Sequence, residues 1–280
     1  MWNHNGQLKS ENSPREFGLI HGLLEGVVYA ETVRIKEDSI FFWDHHYFNL
    51  MAFLRLARVE IPENYSMEYF KSEVIKTRKL VSNSEHVLIH IYLLIQPNKI
   101  DCLDSIEFFM VPKKSNALNK KISTASHRTD IFDEIRIISN RLSNQTAINQ
   151  LVFKVSKSFA RENNLDSVLL VNESRNLVES NHGSLFLLQS KNNLFYTPTL
   201  ESGCRNLAIR SNFIDYIEKS TEFKIISESI SAHELKKSDE LMVLSIEKGL
   251  TCITLYRGSD YQTSVSQTLF KQYCSNRNLI

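Results

Sequence analysis

The sequence predicts an α+β fold in two domains, and three observations support this prediction. The chain has 280 residues, which is long for one hydrophobic core, because single cores stop growing at roughly 250–300 residues. Strand and helix patterns follow one another in mixed order through both halves. Residues 113–128 combine basic residues with serine, threonine and asparagine and contain almost nothing that could build a core. We therefore expect a smaller domain at 1–115, a linker at 116–128 and a larger domain at 129–280.

The sequence pattern of the first half predicts four strands and two helices. Their expected bounds are strands 27–35, 39–43, 86–95 and 105–111, and helices around 47–57 and 67–74. The polar turn 36–38 between the first two strands indicates a hairpin. Pro62 should end the first helix, because proline cannot continue it. Strand 86–95 is apolar on both faces and should therefore lie in the centre of a sheet.

The second half predicts two helices and more strand. Its expected strands are 167–171, 184–189, 193–197, 223–230, 242–246 and 251–256, with a helix around 213–217. An earlier helix is predicted from an amphipathic stripe with the i, i+3, i+4, i+7 spacing of one helix face, formed by Ile148, Leu151, Val152, Val155 and Phe159. Both halves are therefore expected to be α+β.

Composition excludes several classes of protein. Apolar residues make up 42% of the chain and charged residues 23%, which excludes a disordered chain, a collagen and a coiled coil. The 33 basic residues against 32 acidic ones give a net charge of +1, so we expect neither nucleic acid nor a membrane as a partner. The sequence predicts no signal peptide and no membrane span. The four scattered cysteines indicate free buried thiols, and we expect a cytoplasmic protein without a metal site.

Glycine and histidine positions narrow the kinds of site further. No glycine lies between Gly26 and Gly183, which excludes a glycine-rich phosphate-binding loop from that stretch. His86 and His90 share a face of a predicted strand but would stand about 13 Å apart, too far to bind one metal ion.

Four stretches of the sequence resemble signatures of one enzyme family. Residues 22–35, GLLEGVVYAETVRI, fit the signature GLLYGDGVFETLRV without a gap, with Glu31, Thr32 and Arg34 among the identities. The stretches DSVLLVNESRNLVESNHGSLF, TPTLESGCRNLAIR and DELMVLSIEKGLTCI match later signatures. Over nearly its whole length the chain resembles the class IV aminotransferases, pyridoxal-phosphate (PLP) enzymes that include branched-chain and D-amino acid aminotransferases and 4-amino-4-deoxychorismate lyase. The resemblance implies the two-domain PLP fold type IV, PLP as the cofactor and a homodimer.

The resemblance also implies a lysine that forms a Schiff base with PLP, and here the sequence departs from it. The family pattern K-x-L-N-x-L is matched by TAINQL, in which Thr146 stands at the lysine position. Threonine has no amine that could form a Schiff base. Thr146 is also a favoured N-cap residue for the helix predicted after it. Lys154 lies eight residues further on, about 12 Å along a helix, so we do not expect it to replace the missing amine.

The positions that would hold the PLP phosphate are changed as well. Where the resemblance implies an arginine, the chain has Asn49, which donates only neutral hydrogen bonds and is equally explained as a polar residue on a helix surface. Backbone N–H groups at a helix start remain at Ala208 and Ile209, so a weak anion site is expected there. Glu247, in the second turn on the phosphate side, would repel a phosphate unless it points away.

Glu179 is the one element of the implied site that the sequence retains. It aligns with the family glutamate that pairs with the pyridine nitrogen of PLP. As a lone glutamate in a polar turn, it is equally explained as a solvated surface residue. The sequence leaves both interpretations open.

Three hypotheses for the function follow. The leading hypothesis is a class IV aminotransferase-like protein that has lost the Schiff-base lysine and the phosphate-binding arginine and does not work as a transaminase. The alternative is an active PLP-dependent aminotransferase or 4-amino-4-deoxychorismate lyase whose lysine lies outside this motif alignment. The third is a structural or regulatory dimer without a small ligand. Enzyme activity and substrate therefore stay open at the level of sequence.

Overall fold

The computed structural model describes residues 2–4, 7–9, 28–81, 84–97, 104–118, 126–146 and 150–279. Helices and strands are mixed through both halves, so the α+β prediction is confirmed. Within the described ranges, no helix is long and apolar enough to cross a membrane. Residues 22–27, which open the first family-like stretch, lie outside the described part of the chain.

The described part of the first half contains a four-stranded sheet and two helices. In chain order its elements are β1 Trp2–His4, β2 Gln7–Lys9, β3 Val28–Lys36, β4 Ser39–Ile40, α1 Trp43–Leu56, α2 Met67–Arg78, β5 His86–Pro97 and β6 Asp104–Ser115. The sheet has the antiparallel order β4-β3-β5-β6, so β5 lies inside it as predicted. β1 and β2 form a separate two-stranded pair. Apolar side chains of β3, β5, α1 and α2 share one core.

The predicted strand 39–43 is too long. β4 ends at Ile40, and α1 begins at Trp43. Phe42, between them, has a left-handed backbone with φ 56°, which turns the chain from the sheet into the helix. Trp43 is therefore a buried helix residue rather than a strand residue. The same helix ends at Leu56, ahead of Pro62.

Two larger sheets and four helices make up the second half where the structure describes it. Its elements are β7 Arg128–Ile137, α3 Gln150–Glu162, β8 Ser167–Asn172, β9 Asn176–Ser180, β10 Ser184–Gln189, β11 Leu194–Pro198, α4 Ala208–Ser220, β12 Lys224–Glu228, β13 Ile230–Ser231, α5 Ala232–Lys237, β14 Glu240–Ser245, β15 Gly249–Ile253, β16 Leu255–Tyr256, β17 Ser259–Asp260 and α6 Ser264–Asn276. One sheet has the order β12-β11-β10-β14-β15, and the other has the order β13-β9-β8-β7-β16-β17.

Strand β10 shows how these sheets are layered. Successive side chains of a strand point to opposite faces. Phe186 and Leu188 pack in a cluster with residues of α4 and α6. Leu185 and Leu187 pack in another cluster with residues of the six-stranded sheet. The two sheets therefore face each other across an apolar layer, with α4 and α6 on the outer face of the five-stranded sheet.

The amphipathic stripe predicted for α3 is partly wrong. Leu151 is 70% exposed, whereas Phe153 is buried and packs with Phe132 of β7. The buried positions of α3 are Phe153, Ser156 and Ala160, flanked by the partly buried Val152, Val155 and Phe159. Ile148 lies outside the described residues. The helix is thus rotated relative to the face that hydrophobicity alone would select.

The polar segment 113–128 is partly strand. β6 continues to Ser115, so Lys113 and Lys114 belong to the sheet, and Arg128 opens β7. Residues 119–125 lie outside the described part of the chain. The division into domains at 1–115 and 129–280, with a linker at 116–128, stays a prediction.

Candidate active site

A cavity of about 640 Å³ lies where the four-stranded sheet meets turns of the second half. Strands β3 and β5 contribute Ala30, Glu31, Thr32, His90 and Tyr92 to its wall. The remaining wall comes from α3, the segment before it, the β9–β10 turn, the loop before α4 and the turn after β14. The cavity therefore gathers residues from all the stretches that carry the family resemblance.

Thr146 lies on the wall of this cavity. Its hydroxyl donates a hydrogen bond to the backbone carbonyl of Ala30 in β3. Lys154 and Lys157 of α3 line the same cavity. The distance of about 12 Å to Lys154 expected from sequence assumes one continuous helix, but α3 is described only from Gln150. Lys154 is therefore an amine within the site, which sequence spacing alone did not indicate.

Glu31 is the centre of a buried polar cluster beside Thr146. Its Oε2 accepts a hydrogen bond of 2.7 Å from the Tyr29 hydroxyl, and its Oε1 accepts one of 3.2 Å from the Thr32 N–H. Nδ1 of the buried His46 lies 3.2 Å from Oε1. Burial and the Glu31 charge raise the pKa of Tyr29, so its hydroxyl stays protonated and donates. The cluster fixes the edge of β3 that faces the cavity.

Glu179 is buried and paired with Arg205. It is 1% exposed, so the solvated-surface interpretation of Glu179 is wrong. Nε of Arg205 donates to both carboxylate oxygens at 2.9 and 3.0 Å, and Nη2 donates to Oε2 at 2.9 Å. The guanidinium carbon lies 3.9 Å from the centre of the Phe153 ring. Arg205 is thus held between a carboxylate and an aromatic face, and both oxygens of Glu179 are engaged.

Asn49 contacts the loop before α4. Its Nδ2 donates to the carbonyl of Asn206 at 2.7 Å, and Nδ2 of Asn206 donates back to its Oδ1 at 3.1 Å. Asn49 is therefore a linking residue between α1 and this loop rather than a free surface amide. Ala208 and Ile209 open α4 and are 2% and 1% exposed, respectively.

Arg34 organises the turn that contains Glu247. Its guanidinium donates to the carbonyls of Ile246 at 2.8 Å, Glu247 at 2.6 Å and Asn116 at 2.6 Å. The side chain is fully buried, and burial lowers the pKa of Arg34 to about 10, which still leaves it charged near pH 7. Glu247 itself is exposed at the rim of the cavity, so its carboxylate has access to solvent.

A tight turn between β9 and β10 places Asn181 and His182 at the cavity. Ser180 and Gly183 flank the turn and exchange backbone hydrogen bonds of 2.9 and 3.2 Å. Asn181 is 3% exposed, and its Oδ1 accepts from the Val168 N–H at 3.2 Å. Burial lowers the pKa of His182 to about 4, with the Lys248 charge as the next cause, so the imidazole is neutral near pH 7.

Comparison with known proteins agrees with this arrangement of stretches. The family model of amino-transferase class IV matches residues 29–256. The chain belongs to this family. No curated protein is significantly similar to it in sequence.

Solved structures of other class IV aminotransferases share the fold at low identity. A proposed 4-amino-4-deoxychorismate lyase from Legionella pneumophila has 17% identity and a TM-score of 0.80, covering 95% of this chain and 97% of its own. A branched-chain aminotransferase from Thermoproteus uzoniensis, solved with norvaline, has 17% identity and a TM-score of 0.79, with 91% and 87% covered. A branched-chain aminotransferase from Thermobaculum terrenum in its PLP form has 16% identity and a TM-score of 0.77, with 89% and 84% covered. Fold type IV is therefore confirmed.

The residues singled out from the class IV aminotransferase signatures do not all meet in one place. Thr146 and Glu247 line the cavity, and Glu179 reaches it through Arg205. Leu207, rather than Ala208 or Ile209, forms the wall beside α4. Metal sites were not expected, and the described residues contain no group of three or more suitable metal ligands.

Sequence reasoning missed Arg205 as a site residue. One signal for it was available, because an arginine stands in TPTLESGCRNLAIR where the signature TPPLSSGILPGITR has a leucine. A charge at an apolar position of a motif needs a buried partner of opposite sign. Glu179, in another signature, is that partner.

Proposed function

We propose that this class IV aminotransferase does not transaminate through a Schiff base of its own chain and that its cavity binds a small ligand. Thr146 supports the proposal because a hydroxyl stands where the family resemblance implies the reacting amine. The hydroxyl is hydrogen-bonded to a backbone carbonyl of β3, which gives it a structural role.

The Glu179–Arg205 pair is the observation that carries the proposal. The resemblance implies that Glu179 pairs with the pyridine nitrogen of PLP, which needs a free acceptor position on the carboxylate. Four hydrogen bonds from Arg205 already fill the roughly four positions that a carboxylate offers. Arg205 donates to both oxygens and stacks on Phe153, which itself lines the cavity. In this arrangement the residues do not fit PLP in the way the resemblance implies.

The phosphate end of the implied site supports the same conclusion. Asn49 has no charge, and its amide is engaged with Asn206. A charge-assisted hydrogen bond contributes roughly 1.5–3 kcal/mol, about ten- to a hundredfold in affinity, and the site lacks this contribution from Asn49. N–H groups at the start of α4 would remain as weaker donors.

Absorption spectroscopy tests the proposal. Purified protein mixed with PLP should show no aldimine band that survives removal of free PLP, and borohydride should label only scattered surface lysines in peptide maps. A PLP label confined to Lys154 or Lys157, both in the cavity wall, would contradict the proposal and favour an active aminotransferase or lyase. Ligand screening that finds nothing in the cavity would instead favour the structural or regulatory dimer.

We also propose a homodimer in the cytoplasm. The dimer rests on the family resemblance, which implies that each cleft is built partly from the neighbouring subunit. A reducing compartment is supported by Cys204, Cys252 and Cys274, which are free thiols rather than members of a disulfide. Light scattering at micromolar concentration should give twice the mass of the chain, and a monomer mass would contradict the dimer.

A further inference from the structure

Two cavities meet at the β9–β10 turn. Besides the cavity of about 640 Å³, a shallower one of about 660 Å³ lies between the C-terminal part of α3 and the start of β8. Lys157, Asn181 and His182 line both. The three residues therefore stand where a ligand that extends from one cavity to the other would pass.

Asn181 presents a buried donor without a partner at this point. Its Oδ1 accepts from the Val168 N–H, and a backbone N–H can only donate, so the orientation of the amide is fixed. Nδ2 is fully buried and has no hydrogen-bond partner within the described part of the chain. A buried amide left unpaired costs free energy, and Asn181 lines both cavities, so a ligand acceptor that reaches Nδ2 would stabilise it. The backbone hydrogen bonds across the turn hold this donor in place.

The charges around Asn181 select the kind of acceptor. Lys154 and Lys157 project from α3 with exposed side chains into the same cavity wall. Lys157 and Lys248 are both close enough to His182 to contribute to its lowered pKa, after burial, which is the largest cause. The basic residues in the cavity wall therefore outnumber the carboxylates there that could repel an anion.

The nearby carboxylates are engaged or face solvent. Glu31 is held by Tyr29 and by the Thr32 N–H. Asp166 accepts from the Arg128 N–H and is exposed. Glu247 is exposed at the rim. None of the three is hydrogen-bonded to Asn181 in the described part of the chain, so Lys154 and Lys157 are the charges that remain for a ligand in the cavity they line.

We propose that the junction of the two cavities binds the oxyanion of a small molecule, a carboxylate or a phosphate group, with Asn181 Nδ2 as the buried donor and Lys157 as the counter-charge. This site is distinct from the phosphate position that the resemblance implies at Asn49 and the start of α4. The inference deepens the proposed function and rests on it, because it names the class of ligand that the cavity takes.

Titration calorimetry with inorganic phosphate and with succinate, as separate probes on the full chain, tests the inference. At least one probe should bind saturably in the millimolar range, and the probe that binds more tightly identifies the group. Lys157→Gln should weaken binding about tenfold, the loss of one charge-assisted hydrogen bond. Asn181→Asp keeps the acceptor for Val168 and replaces the donor by a repelling oxygen, so it should weaken binding at least as much.

Lys71→Gln is the matched control, because Lys71 is an exposed lysine of α2 that lines neither cavity. An equal loss in Lys71→Gln, no saturation with either probe, or wild-type binding in Lys157→Gln would each overturn the inference. If Asn181→Asp does not fold by circular dichroism, the exposed Lys157 variant decides alone. Failure of anion binding without an aldimine band leaves the proposed function standing, whereas an aldimine band overturns that function independently.

Discussion

Arg205 and Glu179 form a buried ion pair, and removing either partner should destabilise the fold. Removing the cation leaves a carboxylate that is 1% exposed without a counter-charge. Breaking a buried pair in this way costs about 3–5 kcal/mol. Arg205→Leu should therefore lower the free energy of unfolding by about that amount in urea denaturation.

The control for this prediction is an exposed pair in the same half. Arg136 pairs with Asp133 on β7, with side chains 37% and 42% exposed, respectively. Arg136→Leu should leave stability nearly unchanged, because solvent screens such pairs. If Arg205→Leu is as stable as the control, then Glu179 is satisfied by another group and the ion pair is not what holds it.

His182 should make the protein sensitive to acid. Its pKa in the folded state is about 4, chiefly because of burial, against about 6.5 in the unfolded chain. The unfolded state therefore binds more protons between these values, so stability is lost as pH falls from about 6.5 towards 4. His182→Gln should reduce that loss in urea denaturation at pH 7 and pH 5. His233→Gln, at an exposed position of α5, is the matched control and should keep the wild-type loss.

At the residue scale, motif spacing located positions but not contacts. The sequence analysis predicted that Thr146 and Asn49 replace residues of the implied PLP site and that Glu179 is retained from it. Asn49 and Glu179 contact residues that motif spacing did not suggest. Asn49 forms hydrogen bonds with Asn206, 157 positions away, and Arg205, in the loop before α4, pairs with Glu179 of β9. Such partners are set by how distant segments pack, which periodicity does not encode.

Gly183 shows how a single element depends on the absence of a side chain. A Cβ at this position would lie 2.1 Å from the carbonyl oxygen of Leu244, on the neighbouring strand β14. The obstacle is backbone, so it cannot rotate away. Gly183→Ala should force β10 and β14 apart at Ser184 and destabilise the fold by at least about 1–3 kcal/mol, measured by thermal unfolding.

Gly258→Ala separates this contact from backbone strain. Gly258 has φ +81°, but no atom lies within 4 Å of the position that a Cβ would take, so its cost comes from conformation alone. We expect the smaller loss of stability in Gly258→Ala. Gly183 is not among the residues with positive φ, so the loss in Gly183→Ala reports the clash with β14 alone. Equal losses in the two variants would contradict a specific clash at β14.

At the element scale, the apolar strands inside the sheets and the buried faces of α1, α2 and α4 were predicted correctly, whereas the face of α3 was not. The alternation and apolar runs of β5, β8, β10 and β14 were strong signals, because both faces of these strands are covered. The face of α3 was misassigned at Leu151, because the packing partner Phe132 comes from β7, which was not predicted. The end of β4 was misplaced, because the left-handed turn at Phe42 leaves no mark in hydrophobicity.

At the scale of the whole molecule, the fold was predictable because the resemblance spans both halves of the chain. Signatures that align without gaps near the start and near the end constrain the order of all elements between them. The fold is accordingly shared with proteins of 16–17% identity at TM-scores near 0.8. The side chains of the site differ from the family signatures although the fold is the same, because a buried pair such as Glu179–Arg205 changes the site without changing the sheets.

Arg34 joins distant parts of the molecule through one side chain. It lies on β3 and donates to carbonyls of Asn116, Ile246 and Glu247, which are 82, 212 and 213 positions away. The planar guanidinium reaches three carbonyls in fixed directions, whereas a lysine ammonium is a compact point charge on a flexible stem. A buried carbonyl left without a partner costs about 1–3 kcal/mol.

Arg34→Lys should therefore destabilise the whole fold by about 1–3 kcal/mol for each carbonyl that loses its donor, measured by urea denaturation. The charge is retained, so the loss reports geometry rather than electrostatics. Arg55→Lys, at an exposed position of α1, is the matched control and should leave stability unchanged. If Arg34→Lys unfolds at the wild-type urea concentration, then the contacts between β3 and the 246–247 turn do not depend on the guanidinium fork, and other packing joins the two halves.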